Sequence, residues 1–148
     1  MKKYMTAAVG GVLLVSALSV QAAEVDDAIE YRQGIFNAFK WNLGPMGAMI
    51  KGKMPYDQAQ FTLHAQRLET LSHMPLEGFV EGSDSGDTDA KAEIWSDMDT
   101  FSAGFDKLQT NAAALVEASN TGDMEQIKPA FGAVAKSCKG CHDNFRKD

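Results

Sequence analysis

The residues Cys138-Lys139-Gly140-Cys141-His142 hold the chain's only two cysteines and follow them directly with a histidine. C-x-x-C-H is the attachment sequence of c-type haem. On a helix, residues three and four apart share a face. Cys138 and Cys141 can then reach the two vinyl groups along one edge of a porphyrin, while His142 meets the iron as axial ligand. The thioether bonds would make that cofactor, one haem c per chain, permanent. Other uses of such cysteines need a different setting. A thioredoxin-type pair sits at a helix N-terminus in a βαβ context, where the dipole lowers the thiol pKa. A structural zinc site needs four ligands, and outside the motif only His64 and His73 add nitrogen donors. A disulfide across two intervening helical residues would be strained.

The motif closes a helical pattern. Ile127, Phe131, Val134, Cys138, Cys141 and Phe145 recur at steps of four and three, which places both cysteines on the apolar seam of a last helix. The same alternation runs through Ile94, Met98, Phe101, Phe105, Leu108, Ala112 and Leu115, with Asn120–Asp123 as the intervening turn. A first helix over Asp26–Leu43 carries Ile29, Phe36 and Phe39, and Gly44-Pro45 is expected to kink or end it. A second is expected to start near Pro55 and to present Phe61, Ala65, Leu68 and Leu71 before Met74-Pro75 stops it. Glu77–Asp89, rich in Gly, Ser and Asp, reads as the one long connection. No stretch shows strand alternation. The fold class is all-α, an antiparallel four-helix bundle with covalently bound haem c.

Lys2 and Lys3, the apolar run to Val20 and the small residue Ala22 have the three parts of a secretory signal peptide. Cleavage after Ala22 leaves one domain over 23–148, with no membrane segment, in the periplasm of a two-membrane bacterium. The whole chain has 148 residues, 45% of them apolar, and a formal charge of −6 from 14 Lys and Arg against 20 Asp and Glu. Such a balance excludes disorder and argues against a nucleic-acid partner, which calls for a basic surface.

Most small cytochromes c carry the haem motif near the N-terminus; here it ends six residues before the C-terminus. That order, with Tyr31-Arg32-Gln33 on the first helix and Glu93-Ile94-Trp95 opening the third, resembles cytochrome c′ over essentially the whole mature chain. The resemblance implies a four-helix bundle, commonly a homodimer through the first two helices. It implies five-coordinate high-spin iron that binds nitric oxide and carbon monoxide, and a part in electron transfer or nitric oxide tolerance rather than enzymatic turnover. The redox partner is left open. A six-coordinate electron carrier on the same bundle is the alternative.

The family match places Phe36 over the vacant side of the iron. A phenyl ring has no lone pair to donate, so it fills space there without ligating. Phe79 matches a second distal aromatic, Arg146 a proximal arginine, and Arg32 and Gln33 haem contacts. Asp87 matches a haem-contacting aspartate, with Asp89 as the competing position. Arg32 falls on the apolar seam between Ile29 and Phe36. A buried guanidinium needs an anion or a route to water, and a haem propionate would supply the first. Met46, Met49 and Met54 are expected to fill packing gaps or the dimer face. His64 and His73 are expected at the boundary of the bundle or in solvent. Phe36 and Phe79 provide no distal base, which argues against peroxidase chemistry.

Overall fold

The computed structural model describes residues 12–147, with side chains from Glu24 onward. The leader expected over residues 1–22 falls on positions whose side chains, and before Val12 the backbone as well, lie outside the described residues. Four long helices make the bundle: α1 (Val12–Ile50), α2 (Gln58–Ser72), α4 (Met98–Thr121) and α5 (Met124–Phe145). A 3-10 turn at Pro75–Gly78 and the four-residue α3 (Glu93–Ser96) flank the long connection between α2 and α4. Among the described residues there is no β-strand, only an isolated antiparallel bridge between Ala90 and Arg146.

Three helix boundaries differ from the periodicity reading. α1 does not end at Gly44-Pro45 but runs through Pro45 to Ile50. An interior proline costs about 3 kcal/mol. Beyond it, Met46 and Met49 are buried in the core, and burying each such side chain returns about 1.5–3 kcal/mol. The helix stops instead at Gly52, whose φ of 66° and bonds Gly52 N–H to Met49 O (3.1 Å) and Lys53 N–H to Ala48 O (2.9 Å) form a Schellman cap. α2 starts at Gln58, three residues later than proline placement suggests. Asp57, not Pro55, sets the boundary by accepting from the Gln60 N–H at 3.0 Å. The third periodic segment breaks at Asp97, which leaves helical geometry and caps α4 by accepting from Thr100 N–H. Ile94 and Met98 keep their spacing across that break, so periodicity alone could not detect it.

The core gathers Phe61, Leu68, Phe101, Leu115, Ile127 and Val134, all essentially inaccessible. Packing joins α1 to α2, α2 to α4, and α4 to α5. α1 and α5 do not join in the same way: the main cavity lies between them and is lined by both. His64 sits on the opposite side of α1. Contrary to the expected boundary position it is buried, with 9% exposure, and its Nδ1 lies 2.9 Å from Asn42 Oδ1 of α1. His73 is exposed, 3.1 Å from Glu69.

Candidate functional site: a cavity between the first and last helices

The cavity has a volume of about 960 Å³. Its α5 wall is made by Phe131, Cys138, Cys141, His142, Phe145 and Arg146. The two thiols are half-buried and face it. Burial pushes the Cys138 thiol up, and burial together with the neighbouring Cys138 pushes Cys141 to about 11. Both are therefore neutral near pH 7, the reverse of an activated thioredoxin-type nucleophile. Packing around the His142 ring, aided by Arg146 and opposed by Asp143, lowers its pKa. Lowering favours the neutral imidazole that a metal requires.

Opposite, α1 presents Gln33, Phe36, Lys40, Gly44 and Gly47 to the cavity, one helical stripe at steps of three and four. Glycine removes side chain where the helix borders the opening: a Cβ at Gly44 would meet nothing within 4 Å, and one at Gly47 only Phe131. Phe36 remains 37% exposed. Its ring stands edge-on to Phe39 (centroids 5.7 Å apart) and to Phe79 (6.5 Å). Phe79 also packs on Phe101 (4.7 Å) and Phe105 (6.4 Å). Apolar side chains such as Leu43, Ile94, Phe101 and Leu108 complete the lining.

The connection over residues 79–91 closes one end, and Tyr31-Arg32-Gln33 hold it. The Tyr31 hydroxyl donates to Glu77. Arg32, 2% exposed, donates from Nη1 to Gly78 O (2.9 Å) and Ser83 Oγ (2.6 Å). From Nη2 it donates to Ser83 O (2.6 Å) and Thr88 Oγ1 (2.8 Å). Its guanidinium also lies 4.6 Å from the Phe79 ring centroid. Gln33 Nε2 donates to Asp87 O at 2.7 Å. The Trp95 indole N–H adds a bond to Val80 O at 2.9 Å. At the α5 end, Lys91 N–H donates to Phe145 O (3.0 Å) and Lys147 N–H to Asp89 O (2.8 Å).

Arg32 borders the cavity, but its buried charge is met by loop carbonyls and hydroxyls, not a carboxylate. All four Nη protons are committed to the loop. Asp87 is exposed and outside the cavity wall, its backbone carbonyl accepting from Gln33, whereas Asp89 lines the cavity. Phe36, Phe79, Gln33 and Arg146 all border the cavity. The roles of Ser83, Thr88 and Trp95 as loop anchors escaped sequence reading. For Trp95 a signal existed, since a half-buried indole N–H seeks an acceptor.

The residues fit a c-type haem. A roomy, largely apolar cleft is bordered by two neutral thiols and an imidazole at the i, i+3, i+4 positions of one helix. Comparison with known proteins leads to the same group. A family model for cytochrome c′ matches residues 27–146. Cytochrome c′ of Halomonas halodenitrificans is 41% identical, over 85% of this chain and all of that one. The solved cytochrome c prime of Shewanella frigidimarina superposes with a TM-score of 0.82 at 50% identity, covering 84% of this chain and 97% of that one. A mutant cytochrome c prime of Alcaligenes xylosoxidans, solved as a nitric oxide complex, superposes at 0.78 with 39% identity, covering 84% of this chain and 96% of that one. That family carries a covalently bound haem c, for which Cys138 and Cys141 are the two thiols present. By its sequence, its fold and the setting of its haem motif, the chain belongs to the cytochrome c′ family.

Proposed function

We propose that this protein is a gas-binding cytochrome c′ of the periplasm, with His142 as the single axial ligand from the polypeptide. When bound, haem c supplies an iron that accepts an electron and takes up a diatomic gas. Cys138 and Cys141 would hold it through their sulfurs, and His142 would coordinate its iron. The observation that carries the five-coordinate reading is the composition of the wall. Among the described residues, no methionine and no histidine except His142 lines the cavity. Met46 and Met49 are core residues and His64 is turned toward Asn42. On the α1 side Phe36, with Phe39 and Phe79 behind it, crowds the space a gas must enter without offering a lone pair. Nitric oxide and carbon monoxide are the ligands, as in the complexes solved for the Alcaligenes xylosoxidans relative.

The natural unit is a homodimer through α1 and α2. Trp41 of α1, 75% exposed, and Leu63 of α2 are large apolar side chains facing solvent in the single chain. Among the described residues no helix is long and apolar enough to cross a membrane. An electronic spectrum of the oxidised and reduced protein, with and without nitric oxide, tests the iron's state. Broad high-spin bands that change on gas addition are expected. Split low-spin bands at rest would place a sixth ligand on the iron and favour a plain electron carrier.

A further inference from the structure

Charge is distributed unevenly over this molecule. Acidic residues outnumber basic ones by 20 to 14 in the whole chain, yet the cavity is bordered by Arg32, Lys40, Lys51, Lys53 and Arg146 against one carboxylate, Asp89. Arg32 is buried and bound to the loop. The other four are exposed. The two ion pairs formed among the described residues, His73–Glu69 and Lys139–Asp143, involve none of them. They are also spread around the opening. Lys51 and Lys53 follow the end of α1, Lys40 stands one turn past Phe36, and Arg146 caps α5 beside the loop.

Like charges gathered at one opening repel one another and raise a local potential opposite in sign to that of the whole protein. The two propionates of a haem, with Asp89, would balance part of this charge and leave an excess. We infer that the rim is a docking surface for an acidic redox protein, whose carboxylate-rich patch seats over the cavity mouth. Its four exposed cations border the mouth of the cavity that holds the redox group, where a partner exchanging electrons must approach. The net negative charge of the remaining surface also opposes an anionic membrane. Transient redox complexes are small, below about 1,200 Å², so a rim of long charged side chains suffices. Opposite charge steers the encounter, and salt screens it over about 10 Å at 0.1 M.

The test uses the holoprotein and poly-L-glutamate as the acidic probe, titrated calorimetrically at low ionic strength. Lys51→Glu/Lys53→Glu is compared with Lys107→Glu/Lys128→Glu, which makes the same change in net charge at exposed positions outside the cavity wall. The rim variant should weaken binding by about tenfold or more, and the control much less. An unchanged haem spectrum in both verifies that the site is intact and keeps the result separate from the ligation state argued above. A second readout compares reduction by reduced flavin mononucleotide and by reduced riboflavin, which share a ring and differ by one phosphate. The phosphorylated flavin should react faster at low salt and lose that advantage as salt rises. Equal weakening by both variants, no binding of polyglutamate, a slower reaction with the phosphorylated flavin, or preferential binding to phosphatidylglycerol vesicles would each overturn the proposal.

Discussion

On the α5 side of the cavity, five consecutive residues of one helix contain the attachment chemistry, whereas on the α1 side the wall is finished by residues 46 to 56 positions away. Cys138, Cys141 and His142 need only an intact helical turn to share a face. Phe36 and its partner Phe79 come together because Arg32 grips Gly78, Ser83 and Thr88, and because Trp95 holds Val80. One wall is a local device and the other a tertiary one. Damage to the first should be chemical and complete. Damage to the second should be graded, felt first as lost stability and then as altered gas access.

The harshest way to break the local wall is to remove its sulfurs. The double replacement Cys138→Ser and Cys141→Ser should abolish covalent attachment outright, since no other cysteine exists in the chain. Mass spectrometry of the denatured protein should give the bare polypeptide mass. A retained haem adduct would mean the group is not held through these thioethers. The helix itself should persist, because serine perturbs its packing only at two half-buried positions.

For the tertiary wall the corresponding blow is Arg32→Met. It leaves Gly78 O, Ser83 O, Ser83 Oγ and Thr88 Oγ1 without their donor. Buried acceptors so stranded cost about 1–3 kcal/mol apiece, and relaxation of the loop toward water recovers part of this, so a loss of about 3 kcal/mol is expected. Denaturant midpoints measure the total, and hydrogen exchange should locate the loosening in residues 78–91. Arg32→Lys keeps the charge but not the planar fork, and should fall between. A variant as stable as the parent would mean that the loop does not depend on α1.

This asymmetry also explains what could be read from the chain alone. The haem motif and the apolar steps of α4 and α5 are short-range patterns, visible without knowing the fold. Arg32 was legible only halfway. Its place on an apolar seam demanded a partner, but two of its acceptors are backbone carbonyls, which every residue carries and no sequence advertises. The choice between Asp87 and Asp89 depended on the path of a loop bent by Gly82 and Gly86, with φ of 83° and 95°, and no periodicity encodes that path. Pro45 misled because its local effect is outweighed by burial of Met46 and Met49 one turn later.

A gentler change sharpens the contrast by leaving the loop in place. Phe36→Ala removes the ring that α1 sets at the cavity while sparing every bond made by Arg32. Carbon monoxide affinity should rise by about tenfold, equivalent to about 1.4 kcal/mol of relieved crowding. Unchanged affinity would move the steric barrier away from this wall, toward Phe79.

The smallest effect concerns the rear of α1, where Asn42 meets His64. Burial, and next the charge of Arg67, holds the His64 imidazole below its ordinary pKa, which is near 6.5. The folded protein therefore keeps the ring neutral at pH values where the unfolded chain already takes up a proton. Between the ordinary value and the lowered one, the unfolded state binds more protons, so stability falls as pH drops through that window and is fully present above it. Asn42 Nδ2 donates to Ala38 O at 2.8 Å, which leaves Oδ1 as acceptor toward Nδ1 of the ring. That bond survives protonation, and only the burial and Arg67 penalties remain, which keeps the effect modest. His64→Gln retains a donor for Asn42 but cannot titrate. Denaturant midpoints followed from about pH 7.5 to about pH 5 should therefore decline less in the variant than in the parent. Parallel declines in the two proteins would mean that the rear support of α1, unlike the loop clamp at its front, is insensitive to protonation of His64.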